Sequence, residues 1–261
     1  MDASNRTRRF FTLAFAITWG LQVPGVLARL GRLPGDPDAY LPFAMLGIFG
    51  PTVAALVCTH RESGRAGVRS LLAGLTRVRI APQWYLAALV LPGALLSAVL
   101  FGMNLAGRTG PWSFVPGIDR LVAGVVIAVA EEIGWRGYAM SRLEARYGAF
   151  AGNGILGALW AVWHVPMFVA VGVPLSLGLV MLLFFVGGSL YFAWLVRRSG
   201  GGVFVAVLAH LGAHLNNSHA VLPADAFPAV VHAVVYAGLG FAVMRAVAPR
   251  GTARADLATS R

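Results

Sequence analysis

The sequence predicts an all-α, polytopic transmembrane bundle of about eight helices with both termini in the cytoplasm, and three observations predict it. The 261 residues are 58% hydrophobic and 12% charged, with a mean hydropathy of +0.73, far more apolar than a soluble domain. Apolar runs near the roughly 20 residues that a spanning helix needs recur at about 10–28, 40–59, 83–106, 119–138, 152–171, 175–196, 202–222 and 227–247. All 21 basic side chains are arginine, and with the N-terminus inside, 17 of them fall in cytoplasmic segments, as the positive-inside rule requires.

Each element follows in order. Span one comes after Arg6, Arg8 and Arg9; it is too long for a secretory signal and lacks a small-residue cleavage site, so it is retained. Span two ends near Cys58, the only cysteine, which excludes an intrachain disulfide and a multi-cysteine metal site and reads as a small apolar filler. The basic connection 61–82, with Arg61, Arg65, Arg69, Arg77 and Arg79, is expected to rest on the cytoplasmic lipid surface. After span four, residues 139–150 have helical spacing, Leu143 and Tyr147 sharing one face and Arg142 and Arg146 another. That stretch is a short interfacial helix. Residues 1–249 form a single integral membrane domain, and the polar stretch 250–261 is expected to be a disordered cytoplasmic tail. The net charge of +11 does not mark a nucleic-acid binder, because the arginines lie between apolar runs and not along one polar face. The partners expected are membrane lipid and a protein or peptide substrate, with no nucleic acid.

Charges in the fourth span carry the functional reading. Glu131, Glu132 and Arg136 follow the apolar run 121–130, and ionisable groups at bilayer depth cost at least a few kcal/mol, so they mark function. Neighbours on a helix point about 100° apart while residues four apart share a face. Glu132 and Arg136 therefore form an intrahelical pair, and Glu131 points elsewhere into the bundle, where a desolvated carboxylate can take a proton from water. Trp160 and His164 share a face of span five, with Pro166 loosening the helix beyond them. In span seven His210, His214 and Asn217 stack on one face. His219 and His232 read as bland, and His60 lies in a loop.

Together these motifs resemble the CPBP intramembrane proteases, also called the Abi or type II CAAX prenyl endopeptidase family, whose pattern is Glu-Glu-x-x-x-Arg, an aromatic-x-x-x-His, and His-x-x-x-Asn or Asp on successive helices. The first motif is complete at Glu131, Glu132 and Arg136, followed by Gly137 and Tyr138 in the family manner; the second runs from Trp160 to His164, with Trp where Phe is usual; the third begins at His210 but has His214 in the Asn or Asp position. The resemblance covers about 118–222. It implies an endopeptidase in which Glu131 and His164 activate water while His210 and His214, or Asn217 one turn on, stabilise the oxyanion. Glu132, His210 and Glu131 with His164 are then the catalytic set, and Arg136, Trp160, His214 and Asn217 support it. Whether a divalent metal such as zinc is held by Glu131, His164, His210 and His214, or no cofactor at all, stays open.

Two other classes fit the same residues. One is a non-enzymatic membrane protein, either a proton-coupled transporter or a catalytically dead scaffold, and the other is a haem protein using His164 with His210 or His214 as axial ligands. Arginine without lysine, and abundant Gly and Ala, point to a bacterial plasma membrane. The depths of Glu131, His164 and His210 predict a polar cavity between spans four, five and seven that opens to the cytoplasm.

Overall fold

The computed structural model describes residues 3–107, 118–174, 177–215 and 226–246. Its helices are α1 (Ala3–Arg29), α2 (Leu41–Gly47), α3 (Gly50–Leu72), α4 (Pro82–Tyr85), α5 (Leu91–Leu105), α6 (Ile118–Glu132), α7 (Met140–Tyr147), α8 (Ala149–Trp163), α9 (Val165–Ala170), α10 (Gly178–Ser199), α11 (Gly202–Leu215) and α12 (Ala226–Arg245). Short π-helical or 3-10 stretches and single residues join several of these, so the described residues make eight helical bodies in the order the sequence predicts. Five are long and apolar enough to cross a membrane: Ser4–Arg29, Pro37–Thr76, Pro82–Leu105, Ala149–Ala170 and Gly178–Ser199. Gly202–His214 and Val230–Arg245 are shorter apolar helices. The remaining body, α6 through α7, has the length of a span, and Glu131, Glu132 and Arg136 make it less apolar. The chain is a polytopic helical membrane protein.

The third body shows how a proline writes local structure. Pro92 has no N–H to donate, and the ladder before it widens into a π stretch, Leu86–Val90, with the Leu91 amide donating to Leu86 O. In that register Ala87 O would be served by Pro92, which cannot serve it. The Tyr191 hydroxyl of α10 donates to it instead, at 2.6 Å. In a membrane, where hydrophobic burial between helices gains little, such bonds and close backbone packing hold the bundle. The α10–α12 contact is of the second kind, since a Cβ at Gly240 would lie 2.1 Å from Gly187 O.

The connection 61–82 is largely helical. The helix α3 continues to Leu72, bent at Gly64 (φ 59°, ψ −157°), and Gly74 then packs on Val203 of α11. Its arginines are exposed, but its body is part of the bundle. Similarly, the interfacial helix α7 continues the motif helix through the π stretch Ile133–Ala139. Glu62 of α3 clamps the junction, accepting from the Tyr138 hydroxyl and, at 2.7 Å, from Arg142.

Candidate active site

The motif helix is braced before it presents its carboxylates. A Cβ at Gly134 would lie 2.5 Å from Pro51 Cβ, so only glycine lets α3 approach so closely there. One residue on, Thr52 Oγ1 donates to Ala130 O at 2.7 Å. Over Ile133–Ala139 the backbone leaves α-helical register, the Met140 amide donating to Trp135 O, and such π stretches are frequent at functional sites. Both carboxylates are buried, Glu131 being 1% and Glu132 0% exposed.

The two carboxylates diverge as their spacing predicts. Glu132 accepts from Arg136 Nη1 at 2.8 and 3.0 Å and faces His210 Nδ1 of α11 at 2.8 Å. Arg136, grouped by sequence with the cytoplasmic arginines, is therefore an internal residue with its side chain wholly buried. The reason is that its charge is spent inside on Glu132, and its guanidinium lies over Trp160 and Phe192, 4.5 and 4.7 Å from their ring centroids. Glu131 turns instead to α8. Its Oε2 accepts from Trp160 Nε1 at 2.6 Å and Trp135 Nε1 at 3.3 Å, and its Oε1 lies 4.0 Å from His164 Nε2.

His164 is set by the way α8 ends. Its amide turns back to Ala161 O at 3.1 Å, which tightens the last turn. Trp160 O, the ordinary helical partner of that amide, then meets His164 Nδ1 at 2.8 Å. A carbonyl only accepts, so Nδ1 carries the proton and Nε2 presents its lone pair toward Glu131. Phe168 and Phe185 both stack against the imidazole, at 5.5 and 4.3 Å between centroids, and touch each other at 6.2 Å. Span one secures this end: Trp19 Nε1 donates to Trp163 O at 3.2 Å, and Trp163 Nε1 to Thr18 Oγ1 at 2.9 Å.

On α11, His210 and His214 stack at 4.9 Å between centroids, and their Nε2 atoms are 3.1 Å apart, sharing one proton. The structure thus brings together Glu131, Glu132, Arg136, Trp160, His164, His210 and His214. Asn217 and His219 lie outside the described residues. His232 contacts only the Phe184 and Tyr236 rings among the aromatic neighbours, and His60 is exposed. Trp135 escaped the sequence reading, although it stands four residues after Glu131 as Arg136 does after Glu132. Thr52, by contrast, left no signal in the sequence that tied it to Ala130.

The metal candidates Glu131, His164, His210 and His214 do not gather around one point. Among the described residues no three His, Cys, Asp or Glu side chains are grouped to hold an ion, because the ring nitrogens of His210 already face Glu132 and His214, and Nδ1 of His164 faces a carbonyl. This donor set does not fit a metal centre. An apolar cavity of about 180 Å³ lies one layer from His164, lined by Val162, Val165, Phe168, Pro174, Met181 and Leu182 among others. It sits between α8, α9 and α10, not between the helices that carry Glu131, His164 and His210.

Comparison with known proteins agrees with this geometry. Residues 113–218 match the family profile described as Type II CAAX prenyl endopeptidase Rce1-like. The chain is similar to CAAX prenyl protease 2 of Methanococcus maripaludis, 20% identical over 233 residues that cover 83% of this chain and 85% of the relative. Its Glu-Glu-x-x-x-Arg, Trp-x-x-x-His and His-x-x-x-His helices meet at one buried site, and over residues 113–218 the chain is similar to type II CAAX prenyl endopeptidase-like membrane proteins.

Proposed function

We propose that the protein is an intramembrane endopeptidase that hydrolyses a peptide bond with a water activated by Glu131 and His164. The observation that carries this reading is their relation: Glu131 Oε1 and His164 Nε2 are 4.0 Å apart, too far for a direct bond, with the histidine lone pair aimed at the gap. A water about 2.8 Å from each bonds to both at once and loses its proton to Glu131 as it attacks. The carbonyl oxygen of the scissile bond gains negative charge in that step, and its stabilisation falls to His210 and His214 of α11, one of whose Nε2 atoms carries a proton it can turn to the substrate. His214 takes the part that Asn or Asp has in the family pattern. Protonated Glu131 then returns its proton to the leaving amine. Glu132 and Arg136 hold His210, and no step runs through a metal.

The arginine distribution supports a site reached from the cytoplasmic side of a bacterial plasma membrane, and the apolar cavity beside Phe168 suits an apolar segment of the substrate. The name of the methanococcal relative, CAAX prenyl protease 2, makes a prenylated C-terminus one substrate class to test. The experiment is cleavage of peptides, prenylated and not, by purified protein with and without strong chelation, beside proteomics of membranes holding wild type or Glu131→Gln. Cleavage that survives chelation and vanishes in Glu131→Gln supports the mechanism. Loss on chelation with recovery on zinc overturns the metal-free version, and cleavage equal in Glu131→Gln overturns the assignment of the base.

A further inference from the structure

Tyr236 lies on α12, beyond the stretch 113–218 that matches the family profile. It is 2% exposed, and among the described residues its hydroxyl has no hydrogen-bond partner, whereas a buried phenol normally finds one. Gly188 of α10 directs that hydroxyl. With no side chain there, the Tyr236 ring edge enters, its Cε1 lying 3.1 Å from where a Cβ would stand, and Trp160 Cζ3 lies 3.8 Å from the same point. Tyr236 and Trp160 therefore border the same glycine surface of α10, and Cε1 is bonded to the ring carbon that bears the hydroxyl.

Over that same ring lies the Arg136 guanidinium, 4.5 Å from the centroid. Its Nη1 serves both oxygens of Glu132, while Nε and Nη2 are buried without a partner. Among the described residues, two nitrogens of a buried cation over the Trp160 ring and a buried hydroxyl on the neighbouring helix thus lack partners, an arrangement that is costly unless something satisfies it. A water suits such a place, because it takes two to four polar partners and can accept from a guanidinium while bonding a phenol.

We propose that Tyr236 is a positioning residue of the active site, its hydroxyl and the free edge of Arg136 sharing one buried water that keeps the guanidinium aligned on Glu132 and, through Glu132, His210 in place. This rests on the endopeptidase reading above. Tyr236→Phe removes one oxygen and keeps the ring. It is expected to fold in wild-type yield and to cleave peptide about tenfold more slowly in kcat at unchanged KM. Gly188→Ala, which crowds the ring edge and leaves the hydroxyl present, is expected to lose kcat likewise. Tyr191→Phe is the structural comparator: it loses only the bond to Ala87 O, so its melting midpoint falls while kcat stays. A structure of the wild-type protein fine enough to show solvent should hold density within hydrogen-bond distance of both Tyr236 Oη and Arg136 Nε or Nη2. The proposal is overturned if that density is missing, or if Tyr236→Phe keeps kcat within about twofold of wild type. If Glu131→Gln cleaves as fast as wild type, the endopeptidase mechanism fails instead, and the solvent density still decides whether Tyr236 and Arg136 share a water.

Discussion

Glu131 and Glu132 are neighbours in sequence and equally buried, yet their surroundings are opposite. Glu132 is neutralised: a guanidinium and an imidazole, Arg136 and His210, occupy its oxygens. Glu131 has no such cation against it; two indole N–H groups orient it, and it faces the lone pair of His164 across 4.0 Å. One step along a helix, about 100°, makes the difference. A carboxylate bound to a cation is fixed and weakly basic, whereas one held only by neutral donors in an apolar setting keeps its capacity to take a proton. On the proposed mechanism, the same residue type serves as framework at one position and as reactant at the next.

Disabling the reactant side carries the largest expected effect. Glu131→Gln and His164→Ala are each expected to lower turnover by the roughly 10²–10⁴ of a lost general base, measured as cleavage per mole of monodisperse protein. Because the two act on one water, the double variant should be little slower than the worse single one. Multiplying effects would show that they act separately. Next in size is the framework side. Arg136→Gln leaves Glu132 a buried charge without its cation, and breaking such a pair costs about 3–5 kcal/mol. Its signature is a lower melting midpoint and folded yield, and a normal midpoint would show that the pair is not structural.

That division was legible in the sequence because it depends on spacing within one helix. Glu132 with Arg136, Trp160 with His164, and His210 with His214 all lie four apart, and the depth of each charge in its apolar run marked it as functional. What lay beyond reach were contacts between distant helices: Thr52 on Ala130 O, Pro51 on Gly134, Tyr191 on Ala87 O. No periodicity links residues about 80 or 100 apart in a chain whose helices all look alike in composition. Arg136 was misplaced for a related reason, since counting arginines by loop cannot see that a partner one turn away draws one inward. The bend at Gly64 and the π stretch in the motif helix likewise arise from packing against neighbours, which composition does not record.

Smaller changes sharpen the contrast. Trp160→Phe installs the residue usual in the family and removes the 2.6 Å bond to Glu131; with Trp135 still in place, turnover is expected to fall about tenfold or less, with little change in stability. A loss as deep as that of Glu131→Gln would mean that Trp160 does more than orient the carboxylate. Smallest is Thr52→Val, which deletes the bond to Ala130 O and should cost about 1 kcal/mol, read from the melting midpoint with the rate per folded molecule nearly constant.

The most direct measurement sets Glu131→Gln beside Glu132→Gln, each scored for melting midpoint and for cleavage rate per folded molecule. If Glu131 reacts and Glu132 holds, the first melts like wild type and does not cleave, while the second melts low, cleaves poorly and shares both defects with Arg136→Gln. The reverse pattern, a stable and silent Glu132→Gln beside a Glu131→Gln that still cleaves, would contradict the division of labour between the two carboxylates.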